Sequence, residues 1–112
     1  MKCFLLLLLC GSMIGCSNVA DVRETTLKRT PVTTSLDDVL KQCAELKLTC
    51  RSSKTAGYLN QDTGKVIGTS SIWALVEESK KFLFIRSTMV YWGFDGQGKL
   101  IDVWVWQTTD AP

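Results

Sequence analysis

The sequence predicts an α+β domain in which one N-terminal amphipathic helix packs on an antiparallel sheet ending in a long β-hairpin. Three observations carry this. A capped apolar stripe begins at Ser35. Gly-containing turn segments at 61–64 and 95–98 separate β-prone runs. The C-terminal part, residues 99–107, is dense in Val and Trp, which suit a pleated, half-buried surface. The 112 residues fit a single domain, with 46% hydrophobic and 21% charged residues, as in ordinary globular chains.

The chain opens with Met1-Lys2, an apolar run from Cys3 to Cys10, and the smaller residues Gly11 and Ser12. A basic start, an apolar core and small residues in that order read as a signal peptide over residues 1–15. The apolar run falls short of the about 20 residues that a permanent membrane helix needs. Met13-Ile14-Gly15-Cys16 resembles the bacterial lipobox, usually Leu, a small or aliphatic residue, Gly or Ala, then Cys; Met13 stands in place of Leu. The resemblance implies cleavage before Cys16 and a thioether diacylglycerol on its sulfur. Two or more acyl chains at about 0.8 kcal/mol per buried methylene would anchor the protein to a membrane without a protein segment crossing it. A plain secretory signal is the competing reading. Ser17, rather than Asp, after the lipidated cysteine points to the outer membrane, facing the periplasm, in a Gram-negative host.

Five cysteines are an odd number for an exported chain. Cys3 and Cys10 leave with the signal and Cys16 takes the lipid, so Cys43 and Cys50 remain. In an oxidising compartment a disulfide between them is favoured over two buried thiols. Residues 16–33 are polar and lack an apolar period, so they read as a lipidated cysteine followed by a flexible tether. A coil of that length spans roughly 20–25 Å. An edge strand or a short helix there is the alternative. The α+β domain then covers residues 34–112.

Ser35-Leu36-Asp37-Asp38 has the form of a capping box, and Leu36, Val39, Leu40 and Cys43 fall on one helical face. Leu46-Lys47-Leu48-Thr49-Cys50-Arg51 alternates as a strand, with Leu46, Leu48 and Cys50 inward. Residues 57–60 and 65–68 flank Gln61-Asp62-Thr63-Gly64 as a hairpin with Gly64 left-handed. Residues 72–82 fit either a buried strand or a second short helix capped by Ser71 and carrying a Glu77–Lys81 pair; the helix is the preferred reading. Residues 89–107 form the terminal hairpin around Asp95-Gly96-Gln97-Gly98.

Composition narrows the chemistry. There are 13 basic and 11 acidic residues; loss of Lys2 with the signal leaves 12 against 11, so no basic stripe marks a nucleic-acid partner. Histidine is absent, which removes the commonest general base and metal ligand. The adjacent acids Asp37/Asp38 and Glu77/Glu78 do not converge on one point and read as a helix cap and a solvated turn of charge. No nucleophile elbow, phosphate loop or zinc motif occurs. The expectation is a non-enzyme without cofactor or metal.

On the last strand Val103 and Val105 alternate with Trp104 and Trp106, so both faces are apolar. Burial on both sides is one explanation; an open tryptophan face serving as a partner patch is the other. The lipobox, the capped helix and the turn Phe94-Asp95-Gly96-Gln97-Gly98-Lys99-Leu100 resemble the BamE/SmpA-like α+β envelope lipoproteins, which assist outer-membrane β-barrel assembly. That group has two helices before its sheet, whereas only one is legible here, and none of its functional residues carries over. The expected role is a membrane-anchored binding or scaffold protein of the cell envelope with an envelope protein as partner. The alternative is an inhibitor or immunity lipoprotein acting on a cell-wall hydrolase or toxin.

Overall fold

The computed structural model describes residues 18–81 and 84–110. The signal segment, the lipobox and Cys16 lie outside the described residues. Two helices, α1 (Val19–Arg29) and α2 (Leu36–Glu45), precede six strands: β1 (Cys50–Ser53), β2 (Tyr58–Asn60), β3 (Lys65–Ile67), β4 (Ser70–Lys81), β5 (Phe84–Phe94) and β6 (Leu100–Asp110). The four long-range strands make one antiparallel sheet in the order β1-β4-β5-β6, and β2 and β3 form a separate two-stranded hairpin. The predicted α+β class and terminal hairpin are therefore what the chain adopts.

Helix α1 replaces the expected tether. Asn18 caps it through a hydrogen bond from the Asp21 backbone N–H to Oδ1 (2.8 Å), and Lys28 and Arg29 sit in its last turn, where the helix dipole favours cations. A chain this polar needs tertiary contacts to stay helical. Val22 supplies one by burying completely in the core. Arg23 supplies another: Nε donates to the Val103 carbonyl (2.9 Å) and Nη2 pairs with Asp102 Oδ1 (2.7 Å) on β6. The chain then turns through Thr33, which adopts a left-handed φ of 82°, and exchanges backbone hydrogen bonds with Leu100 through Thr33 N–H and Thr34 C=O.

Helix α2 begins as predicted, with the Asp38 N–H donating to Ser35 Oγ (3.1 Å) and Leu36, Val39 and Cys43 buried. Its end departs from the sequence reading. Residues 46–49 do not join the sheet; Lys47 takes a left-handed φ of 59°, Lys47 N–H donates to Ala44 C=O and Leu48 N–H to Cys43 C=O. This Schellman closure satisfies the last carbonyls of α2 and reverses the chain. Leu46, Leu48 and Cys50 are still half-buried. The reversal brings Cys43 and Cys50 together, and they form a disulfide with Cα atoms 6.2 Å apart.

Residues 72–82 were expected to favour a helix, but residues 70–81 are strand β4. Ile72 and Ala74 face the helices and are buried, while Trp73 and Leu75 face the other way. A bulge at Val76, between Leu75 and Glu77, shifts the alternation by one residue and mimics a helical period in the sequence. The Glu77–Lys81 helical pair therefore does not exist, and Glu77 is buried on the helix-facing side instead of solvated. Its Oε1 lies 3.4 Å from Thr88 Oγ1, a weak hydrogen bond. The core is one cluster between helices and sheet, centred on Ile72, Val90, Trp92, Phe94, Val103 and Val105.

Candidate functional site

The sheet has two different faces. Both helices cover the front. Among the described residues the back is covered at one end only, by the β2–β3 hairpin. That hairpin turns at Asn60–Gly64 as predicted, with Gly64 at φ 74° and the Asn60 side chain accepting from Asp62 and Thr63 N–H groups. It can lie flat on the sheet because residue 93 is glycine: a Cβ there would come within 2.8 Å of Tyr58 Cε2 and 3.0 Å of Ile67 Cγ2.

Register across β4, β5 and β6 lines up two rows on the back face. Trp73, Tyr91 and Trp104 form one; Leu75, Met89 and Trp106 form the next. Tyr58 from the hairpin stacks on Trp104 with ring centroids 5.9 Å apart and lies 5.8 Å from Tyr91. Tyr91 stacks on Trp104 (5.0 Å) and Trp104 on Trp106 (5.4 Å). Such offset pairs add about 0.5–1.5 kcal/mol each beyond area burial.

The two tryptophans of β6 thus have different fates. Trp104 is not part of an open patch: the hairpin buries it to 6% exposure and its indole Nε1 donates to Asp62 Oδ2 (2.9 Å). Trp106 is half-buried beyond the hairpin, beside half-buried Trp73, Met89 and Tyr91 and the 43%-exposed Leu75. Sequence reading missed Trp73, Leu75, Met89 and Tyr91 as surface companions, because the rows exist only once β4 is a strand in this register. Trp92 is a core residue, with Nε1 donating to buried Thr30 Oγ1 (3.1 Å).

Other features offer less. An apolar cleft of about 50 Å³ lies between the helices and the sheet, lined by Val22, Thr26, Val39, Cys43, Val76 and Trp92. It is far below the 300–1,000 Å³ that small-molecule sites occupy. Among the described residues no three acidic or cysteine side chains gather as a metal site, and no helix is long and apolar enough to cross a membrane. Asp37 and Asp38 are exposed at the start of α2, and Glu77 and Glu78 point to opposite faces of β4. In the β5–β6 turn, N–H groups of Lys99 and Gln97 donate to the Asp95 carboxylate and hold its pKa below the usual value.

Tyr58 and Tyr91 both have raised pKa values. For Tyr58 the main cause is burial, reinforced by the negative charge of Asp102 and partly offset by Arg23; for Tyr91 it is burial. The neutral phenols are therefore favoured in the folded state. Their contribution to stability is complete below the ordinary value of 10.0 and is lost as pH rises from there through the folded pKa. Alkaline denaturation should begin above about pH 10, with Tyr58 contributing a slope of about 1.4 kcal/mol per pH unit. Chemical denaturation at stepped pH checks this. Tyr58→Phe should remove that slope and leave stability at neutral pH unchanged or slightly higher, since the Tyr58 hydroxyl is buried without a hydrogen-bond partner among the described residues.

Comparison with family models, curated proteins and solved structures finds no match to this chain.

Proposed function

We propose that the chain is a lipid-anchored cell-envelope protein, held through Cys16, that binds a protein partner on the open half of its back sheet face and performs no catalysis. The observation that carries the reading is the set Trp73, Leu75, Met89 and Trp106, which lies beside the β2–β3 hairpin and stays partly exposed, with Tyr91 packed against the hairpin's Tyr58 at its edge. Aromatic and Met side chains are enriched at interface centres, and a rigid sheet presents them at little entropic cost. The hairpin stack behind them fixes the Trp106 ring against Trp104, so the surface is preorganised.

Envelope crosslinking followed by affinity purification tests this with three proteins: the native chain, Trp106→Ala and Leu75→Asp. A partner recovered with the native chain should weaken by about 30-fold or more with Trp106→Ala if that ring is a hot spot worth about 2 kcal/mol or more. Leu75→Asp should abolish recovery without unfolding the domain, because Leu75 is already 43% exposed. Recovery that is indifferent to both changes overturns the assignment of this face. A partner that proves to be a muramidase or toxin, inhibited on binding, would select the inhibitor role over the scaffold role.

A further inference from the structure

We propose that the protein partner of the back face contributes an extended segment that pairs antiparallel with the open edge of β2, lays alternate apolar side chains on Leu75, Met89 and Trp106, and places an acidic residue at Arg51. The inference rests on the partner-face reading above and specifies the conformation and charge of what binds there.

The backbone supplies the edge. β2 and β3 form a two-stranded sheet, so β2 has one side without a neighbouring strand. Gly64 N–H donates to Asn60 C=O across the turn, so the Asn60 carbonyl faces β3. Successive residues of a strand alternate in direction, which turns the Leu59 N–H and C=O to the opposite, open side. No contact outside the hairpin takes up either group among the described residues, and Leu59 is 52% exposed. This side faces the partly exposed row. Tyr58 on β2 stacks on Trp104 and reaches Tyr91, beyond which Met89 follows, whereas β3 leads through Gly68 to Phe94 at the other end of β5. An edge that presents backbone donors and acceptors takes up an extended chain, and side chains at alternate positions then give specificity.

The floor fits such a chain. Leu75, Met89 and Trp106 form one apolar row at the flank of the hairpin, and the next row, Glu78, Ser87 and Thr108, is polar. Same-face rows repeat about every 6.8 Å, which admits a strand at about 4.8 Å spacing and not a helix about 10–12 Å across. β2 crosses the sheet from β4, where Ala56 C=O accepts from Ser71 Oγ, to β6, where Asp62 accepts from Trp104 Nε1. An antiparallel neighbour therefore runs from β6 toward β4, and its C-terminal end arrives beside β1. Arg51 stands there, exposed, in register with Trp73 and without an ion pair among the described residues. That cation selects an acidic side chain near the end of the segment. From β6 to β1 is three strand spacings, about 14 Å, which roughly four to five extended residues span.

Selection from a random short-peptide library displayed on phage, against the full chain immobilised in detergent micelles, tests the contact. Enriched sequences should alternate apolar residues and carry an acid toward the C-terminal end. A resynthesised enriched peptide should slow amide hydrogen exchange at Leu59 by about tenfold or more, because that N–H gains a partner. Arg51→Glu should weaken the peptide by about fivefold, and a lysine in place of the peptide's acid should recover the loss. Enrichment of sequences with apolar residues three and four apart, or no enrichment at all, overturns the proposal, as does binding that leaves Leu59 exchange unchanged. The face is read separately. An envelope partner that depends on Trp106 and Leu75 but leaves Leu59 unprotected overturns strand addition alone, whereas a partner indifferent to both side chains overturns the face assignment beneath it.

Discussion

Trp92→Ala should destabilise the domain by about 3–5 kcal/mol, measured by urea or thermal unfolding. Trp92 is 5% exposed, lies near the C-terminal end of β5 and borders the small cleft beneath the two helices. Truncation removes the largest side chain of the helix–sheet core and enlarges a space that is already incompletely filled. It also strips a hydrogen bond from Thr30, whose Oγ1 accepts from the indole and donates to the Thr26 carbonyl at 2.8 Å. Thr30 is 2% exposed, so it is shielded from bulk solvent. The loss falls where α1 meets the sheet, so α1 should be the first element to lose hydrogen-exchange protection. Trp92→Phe separates the effects: most of the packing stays and the lost hydrogen bond costs about 1–3 kcal/mol. With total stabilities of about 5–15 kcal/mol typical, the alanine variant should be close to unfolded at 37 °C. An unfolding midpoint near that of the native chain would show that Trp92 does not hold the layers together.

Removal of the Cys43–Cys50 disulfide should be the second-largest loss, about 2.5 kcal/mol in the chain-entropy model for so short a loop. The two half-cystines tie the end of α2 to the edge strand β1. That strand pairs over only four residues, from Cys50 to Ser53, so it has little else to hold it. Cys43 is 5% exposed and packs in the core, so Cys43→Ala also forfeits apolar contact, whereas Cys50→Ser mainly breaks the link. Denaturant titration with and without reductant isolates the covalent part. A midpoint unchanged by reduction would mean that the Schellman turn alone sets this geometry.

The sequence made some elements legible because their signals are local. The capped stripe of α2, the Gly64 hairpin and the Phe94–Leu100 turn each depend on residues close in the chain. Helix α1 was hidden by composition: of its side chains only Val22 is fully buried, and a single apolar anchor gives no period. Its signals were its ends, with Asn18 as cap, Asp21 in the first turn and Lys28 and Arg29 in the last. Strand β4 was hidden by the bulge at Val76, which broke the two-residue alternation where the helical pattern took over. The aromatic rows of the back face needed cross-strand register, which no single segment encodes. Trp104 and Trp106 could be seen to share a face; only the hairpin placed by Gly93 decides that one is enclosed and the other is not.

The excursion that carries β2 and β3 leaves the sheet at Ser53 and returns so that Ser71 pairs with Ser53. The two sheet strands it interrupts are already neighbours. The excursion is thus topologically optional, a graft between strands whose order in the sheet does not require it. Changes in its length or composition would leave the strand order intact while altering how much of the tryptophan surface is shielded, at the cost of the Tyr58 and Asp62 contacts to Trp104. Divergence in that one graft would change what this face of the sheet presents to solvent.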